Sequence, residues 1–161
     1  MKINILDGIT VRPMRAGEEG KIAELALKTF AAQVADEFSE EGVETFVGMV
    51  SPDSLAERIS DEDCFFFNAC DSDTLVGTLG IRNGNQIFLF FVDTNYQRRG
   101  IGRALMNAAL AEIKSRYKSA REVIVQSSRC GIKAYESLGF RVTGKEIVQE
   151  GIVSTPMRKG I

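Results

Sequence analysis

The spacing of apolar residues changes period twice along this chain, and that switch restricts the fold more than any other feature. Residues 64–70, 75–81 and 86–92 are short apolar runs separated by Asp71-Ser72-Asp73 and by Asn83-Gly84. Runs of this length between turn residues read as strands, and Asn-Gly is a strong hairpin signal because both residues tolerate the left-handed backbone of a tight turn. Three antiparallel strands are expected there. On either side the period is helical, with Ile22, Leu25, Ala26 and Phe30 on one face of residues 21–34 and Ile101, Leu105, Ala108, Ala109 and Ile113 on one face of residues 100–117.

Local signals place the remaining elements. Residues 9–12 read as a strand stopped by Pro13 and residues 40–50 as a helix. Ser51-Pro52 reads as an N-cap with proline at the first helical position, opening a short turn through Leu55 and Ile59. Residues 123–126 read as a buried strand, 129–138 as a helix ended by Gly139, and 140–157 as a closing pair of strands. The predicted order, β, helices, βββ, α, β, α, ββ, specifies an α/β (α+β) fold with a mixed, mostly antiparallel sheet and helices on both faces. With no repeat, low-complexity tract or Pro/Gly/Ser-rich linker, residues 1–161 are expected to form one domain.

Composition removes several classes of function. Lys+Arg number 20 and Asp+Glu 22, a net charge of −2, which gives no global field for a polyanion; no nucleic-acid partner is expected, and any anion site must be local. Cys64, Cys70 and Cys130 show no C-x-x-C spacing, which suggests neither zinc nor a disulfide framework and fits a reducing cytoplasm. Histidine is absent, which excludes Ser-His-Asp and Cys-His nucleophile systems and imidazole metal sites. No apolar run approaches the ~18 residues of a membrane span, and residues 1–8 lack the charged-then-apolar layout of a leader peptide. A cytoplasmic protein with no metal and no membrane partner is expected.

Chemistry concentrates in residues 92–105, where a strand gives way to a helix across a turn rich in Arg and Gly. Arg98, Arg99 and Arg103 cluster there in an otherwise acidic chain. A helix start presents free N–H groups and roughly half a positive charge, and glycines such as Gly100 and Gly102 let a phosphate approach the backbone without meeting a β-carbon. The segment suits a pyrophosphate; the same residues also suit a plain strand-to-helix turn with a solvated cationic face. A dinucleotide fingerprint would need glycine where Leu105 stands, and Gly139-Phe140-Arg141-Val142-Thr143-Gly144-Lys145 continues with Glu146 where a P-loop needs Ser or Thr.

Gln97 to Gly102 matches the pattern [Q/R]-x-x-G-x-[G/A], and Ser127-Ser128 precede a predicted helix ending Tyr135-Glu136-Ser137-Leu138-Gly139-Phe140. With both blocks in this order, the sequence resembles the GNAT superfamily of N-acetyltransferases. Gly151-Ile152-Val153-Ser154-Thr155-Pro156-Met157 is similar to a branch of small bacterial members. The resemblance implies acetyl-coenzyme A as cofactor, an amine-bearing acceptor, and a central strand pair, residues 86–92 and 123–126, that splays to admit pantetheine. It implies that Phe90, Phe91 and Val92 supply backbone to pantetheine, and that the amide of a residue near Val92 faces the thioester oxygen. Gln97 opens the phosphate loop, and backbone N–H groups of Arg98, Arg99, Gly100, Ile101, Gly102, Arg103 and Ala104 hold the pyrophosphate. Ser128 stands where many members carry an Asn that reaches the cofactor. Tyr135 matches a tyrosine that many relatives use to protonate the departing sulfur.

An amine of pKa ~10.4 reaches its neutral form at pH 7 only at a cost of about 4.6 kcal/mol, so a proton acceptor is expected. Some family members place Glu on the strand matching residues 86–92, but Ile87-Phe88-Leu89-Phe90-Phe91 contains no acid. Asp36, Glu37, Glu40, Glu41 and Glu44 either attract and deprotonate the amine or form a solvated loop, and Glu150 is a further candidate. A phenol of pKa ~10 opposite a thiol of ~8.5 favours a hydrogen bond from Tyr135 over full proton transfer. Cys130 near a helix start either carries an acyl group or simply packs; Arg129 and Lys133 either meet a ribose phosphate or are exposed helix charge. The combined reading is direct acetyl transfer from acetyl-coenzyme A to a primary amine in a ternary complex, by a monomer or homodimer. The alternative is an acyl-coenzyme A binding or sensing module.

Overall fold

A computed structural model describes residues 3–6 and 8–161; Met1, Lys2 and Asp7, within the stretch read for a leader, lie outside the described residues. The chain forms β1 (Ile3–Leu6), β2 (Ile9–Pro13), α1 (Glu19–Gln33), α2 (Glu40–Met49), α3 (Pro52–Ile59), β3 (Phe65–Asp71), β4 (Thr74–Arg82), β5 (Gln86–Val92), α4 (Ile101–Arg116), β6 (Glu122–Ser127), α5 (Ile132–Ser137), β7 (Arg141–Val142), β8 (Ile147–Gln149) and β9 (Ile152–Gly160). The strands order as β1-β2-β3-β4-β5-β6-β9-β7, with β8 also on β9, and β5–β6 is the parallel pair in an otherwise antiparallel sheet. This is the expected α/β (α+β) architecture. Among the described residues no helix is long and apolar enough to cross a membrane.

Each face of the sheet is covered. Ile22, Ala26 and Phe30 of α1 pack with Phe46 of α2, Leu55 of α3 and Leu89 of β5. On the other face Ile101, Leu105, Ala109 and Ile113 of α4 pack with Val76, Leu79 and Ile81 of β4. A β-carbon on Gly77 would lie 3.0 Å from Leu105 Cδ1, so its absence is what lets α4 sit close on β4.

Three boundaries differ from the sequence reading. Helix α1 starts at Glu19 because Glu18 is held in place. Its carboxylate accepts two bonds from Arg12 (2.5 and 3.1 Å), the Arg15 N–H (2.9 Å) and Asn68 Nδ2 (2.9 Å), while Asn68 Oδ1 accepts from the buried Thr78 hydroxyl at 2.8 Å. Burial opposes charge on Glu18, but these donors outweigh it and bring its pKa from the ordinary 4.5 to about 2. Helix α5 begins at Ile132 rather than 129, because the chain before it closes i→i−3 turns (Gly131 N–H to Ser128 O, 3.2 Å, and Ile132 N–H to Arg129 O, 3.4 Å), while the Arg129 and Cys130 N–H groups donate to the Glu37 carboxylate at 2.7 and 3.1 Å. The closing region holds three strands, since Glu150 (φ 52°) and Gly151 (φ 76°) form a tight β8–β9 turn without the usual Asn-Gly signature. Strand β1 was not expected.

The feature that shapes the site lies in β5. Its pairing with β6 covers Gln86↔Ile124 and Ile87↔Val125 and then stops. On the β4 side, Ile81↔Ile87 is followed by Gly80↔Leu89, so Phe88 is an extra residue in a bulge. A bulge bends the strand that carries it; here it turns β5 away from β6 directly after the last shared pair. Phe88 and Leu89 consequently face α1–α3 together, while Phe90 and Val92 face α4 and α5.

Candidate active site

The splay opens a cleft of about 1230 Å³ that runs through the sheet. On the α4–α5 side it is walled by Phe90, Val92, the loop before α4, Ser128 and Tyr135; on the α1–α3 side by Phe30, Phe38, Phe46, Phe88, Phe91 and the β8–β9 turn. Phe30 stacks on Phe46 with ring centroids 4.0 Å apart, and Phe46 meets Phe91 edge-on at 5.9 Å. The wall on the α1–α3 side is thus a packed aromatic surface.

Local bonds hold the loop between β5 and α4. Asp93 donates its N–H to Val76 O (2.8 Å) and accepts from the Asn95 N–H (2.9 Å) and Lys28 (3.0 Å). Those two donors, the amide first, hold its carboxyl below the ordinary value. Gln97 Nε2 donates to Val92 O at 2.9 Å, and its side-chain amide pairs reciprocally with that of Gln33 on α1. Arg98 (φ 63°) and Gly100 (φ 84°) are both left-handed, which turns the backbone sharply into α4. Gly100 caps α4 with no side-chain bond, and among the described residues the N–H groups of Ile101, Gly102 and Arg103 meet no protein acceptor. Free N–H groups in a concave turn at a helix start form an anion cradle. A β-carbon on Gly102 would point at Phe90 Cζ, 3.4 Å away, narrowing the space between loop and cleft wall.

The residues singled out in the sequence fall into distinct places. Phe90, Phe91, Val92, Gln97, Arg98, Gly100, Ile101, Gly102, Arg103, Ser128 and Tyr135 all line the cleft. Arg99 lies outside the lining, with its guanidinium 5.1 Å from the centre of the Tyr96 ring. Ala104 is buried and its N–H is spent on Gly100 O at 3.0 Å, so its amide cannot serve a ligand. Arg103 donates to Ser137 O at 3.1 Å, and none of the three loop arginines pairs with a described carboxylate.

The Tyr135 ring is held edge-on by Phe90 (5.8 Å) and Phe140 (5.2 Å), while its hydroxyl makes no hydrogen bond with the described residues. Burial, with a lesser contribution from Cys130, pushes its pKa well above the usual phenol range. Cys130 shifts upward too: burial raises it most, the bond with Ser128 opposes this, and the Glu37 carboxylate raises it further. A helix start would lower a thiol pKa; here the direction is the opposite, because burial dominates, α5 begins beyond Cys130 and the Glu37 carboxylate is adjacent. Arg129 is engaged with Glu146 at 2.5 Å, and Lys133 is exposed.

The acidic candidates separate just as clearly. Asp36, Glu40, Glu41 and Glu44 are exposed and do not line the cleft, and Glu37 is occupied by two backbone donors. Glu150 is the carboxylate among the lining residues. Its turn docks on α2 through Thr45 Oγ1 to Glu150 O and Ser39 N–H to Gly151 O, both 3.4 Å.

Residues 34–161 match the model of a family described as the acetyltransferase (GNAT) domain. The chain belongs to the GNAT acetyltransferase family. Solved GNAT structures carry the same fold: PaiA N-acetyltransferase from Thermoplasma acidophilum, in complex with coenzyme A, superposes with a TM-score of 0.79 at 21% identity over 95% of this chain and 99% of that one. A GCN5-related N-acetyltransferase from Rhodopseudomonas palustris gives 0.79 at 19% identity over 94% of each chain. An aminoglycoside 6′-N-acetyltransferase complexed with coenzyme A gives 0.67 at 13% over 93% and 96%. No curated protein matches this chain in sequence. Acetyl-coenzyme A is the cosubstrate of the GNAT family. The cleft fits it: an unpaired strand edge for an amide-bearing arm leads to an open, N–H-rich helix start lined by Arg98 and Arg103, neither paired with a described carboxylate.

Proposed function

We propose that the protein transfers an acetyl group from acetyl-coenzyme A directly to the nitrogen of a primary amine, both substrates being bound together. The observation that carries this reading is the arrest of β5–β6 pairing after Ile87↔Val125, which opens one cleft to both faces of the sheet. When bound, acetyl-coenzyme A supplies the activated acetyl group. In this reading the Ile101, Gly102 and Arg103 amides, with the cleft-lining Arg98 and Arg103, would hold and neutralise the phosphates, and the free edge of Phe90, Phe91 and Val92 would align the arm that carries the thioester. Ser128, also in the lining, would offer that arm a hydroxyl. The phosphates thus anchor one reactant so that the other need only enter from the α1–α3 side.

Tyr135 holds a proton at its hydroxyl in the cleft, where it would meet the thioester sulfur. Because burial raises its pKa, the phenol stays protonated and donates a hydrogen bond to charge developing on sulfur, rather than giving up its proton. Glu150 takes the proton that the acceptor nitrogen must lose. It offsets part of the roughly 4.6 kcal/mol that separates an ammonium from its free base at pH 7, and the similar folds of PaiA N-acetyltransferase and the aminoglycoside 6′-N-acetyltransferase support this direction of chemistry.

Two measurements test the reading. Acetyl-coenzyme A at ~100 times its dissociation constant should stabilise the fold by about 2.7 kcal/mol. Thiol release should then appear with at least one class in a panel of small amines, polyamines, amino acids, aminoglycosides and protein N-termini. Binding without thiol release across that panel would identify a sensing module, and absence of binding would remove the cofactor site altogether.

A further inference from the structure

Two buried side-chain polar atoms lack a hydrogen-bond partner among the described residues, Thr29 Oγ1 and Arg82 Nε, and both belong to residues lining the cleft. Native proteins leave few such atoms, and one that persists commonly marks the place of an unseen ion, water or ligand. Arg82 ends β4, and Arg58, in the last turn of α3, lines the same end of the cleft. Their guanidinium carbons lie 5.9 and 5.5 Å from the centre of one ring, that of Phe88. Neither forms an ion pair with a described carboxylate.

Asp61 adds a negative charge near Cys64, but neither it nor Asp63 forms an ion pair with either arginine. Asp61 Oδ1 accepts from the Asp63 N–H, and Asp63 Oδ1 accepts from the Tyr117 hydroxyl. The Cys64 thiol, which both arginines face, is pushed up to about 11 by burial and stays neutral. Burial and the nearby Arg58 both work against the charge on Arg82. Two half-buried cations over one aromatic face, one of them with an unmet donor, form an arrangement that gains from an incoming anion. Phe88 is also the bulge residue at the foot of the splay, on the α1–α3 side where an acceptor enters.

We propose that Arg58 and Arg82 bind an anionic group, carboxylate or phosphate, at the far end of the acceptor amine. The proposal rests on the acetyl-transfer reading, and it narrows the acceptor to a molecule with an amine at one end, an apolar middle against Phe88 and Phe91, and an anion at the other. Phe88 stands three residues before Phe91, roughly 10 Å of extended chain, so the two ends are separated by several bonds.

The test uses amines of matched length: hexylamine, 6-aminohexanamide, 6-aminohexanoate and 6-aminohexyl phosphate. In thiol release, one or both anionic members should exceed the neutral ones in kcat/KM by roughly ten- to a hundredfold, mainly through KM; which anion leads names the group. Arg82→Gln and Arg58→Gln should each collapse that ratio. A second readout needs no turnover: N-acetyl-6-aminohexanoate and its phosphate counterpart, with coenzyme A present, should raise the melting temperature of the native protein more than N-acetyl-6-aminohexanamide does, and should lose that advantage in either variant. Equal kcat/KM for neutral and anionic amines, or a preference that survives both substitutions, would overturn the proposal while leaving acetyl transfer intact. If no amine releases thiol, the acetyl-transfer reading fails, and the melting shift alone then decides whether the arginine pair binds anions.

Discussion

Replacing Gly42 by alanine sets two opposing effects against each other inside one helix. Alanine in place of glycine within a helix is ordinarily stabilising by about 0.5–1 kcal/mol, because the unfolded chain loses freedom. A β-carbon on Gly42, however, would lie 2.1 Å from Gly151 O and 2.5 Å from Gly151 C. The obstacle is backbone, so the β8–β9 turn must retreat by about 1 Å, an overpacking that costs about 1–3 kcal/mol. The bonds from Ser39 N–H and Thr45 Oγ1 to that turn, both 3.4 Å, stretch with it. A net loss of roughly 1–2 kcal/mol follows, which lowers Tm by about 2–8 °C in a chain of this size. Gly48, near the end of the same helix, is the control: nothing lies within 4 Å of its added β-carbon, so Gly48→Ala should raise Tm slightly. Urea titration of both variants reads the difference.

The same displacement carries Glu150 away from the cleft. An error of about 1 Å in a reacting group can cost up to 10²-fold in rate, so Gly42→Ala should lower thiol release by one to two orders of magnitude while coenzyme A still binds. If Gly42→Ala stabilises as much as Gly48→Ala, the close docking of α2 on the β8–β9 turn is wrong. If stability falls and thiol release does not, Glu150 is detached from the chemistry.

Three further outcomes are expected. Tyr135→Phe should lower kcat by about 10- to 100-fold with coenzyme A affinity and Tm nearly unchanged, since the lost hydroxyl serves no bond with the described residues; parallel loss of affinity would refute the assigned role. Glu150→Gln should reduce kcat/KM by roughly 10²-fold at pH 7, with the deficit shrinking as pH climbs toward the amine's own pKa of ~10.4 and free base becomes abundant; a pH-independent deficit would exclude proton removal by this residue. Glu18, depressed from 4.5 to about 2, contributes stability that is present above pH 4.5 and lost as pH falls toward 2. Discounted for its partial exposure, that is roughly 2–3 kcal/mol, and in Glu18→Gln the acid limb of urea stability over that window should flatten.

Whatever rests on neighbouring residues was legible without coordinates. Asn83-Gly84 turned the chain where expected, both residues left-handed, and the helical stripe from Ile101 to Ile113 faces the sheet it was read to face. The glycine and arginine turn before α4 was recognisable because anion cradles are built from consecutive backbone groups. The acceptor half of the cleft obeys a different logic. Glu37 meets Arg129 and Cys130 across more than ninety positions, Glu150 is set by Gly42 and Thr45, and Arg58 joins Arg82 only because α3 and the end of β4 converge on Phe88. None of these contacts leaves a periodic or spaced trace. Asp36, Glu40, Glu41 and Glu44 cluster in sequence yet do not line the cleft, whereas Glu150 does, and its neighbours in the chain say nothing of the wall it lines. On the proposed reading, cofactor grip is local and acceptor choice is assembled from distant segments, so changes at Arg58, Arg82 or the β8–β9 turn should redirect the cleft to another amine while the loop from Gln97 to Arg103 stays as it is.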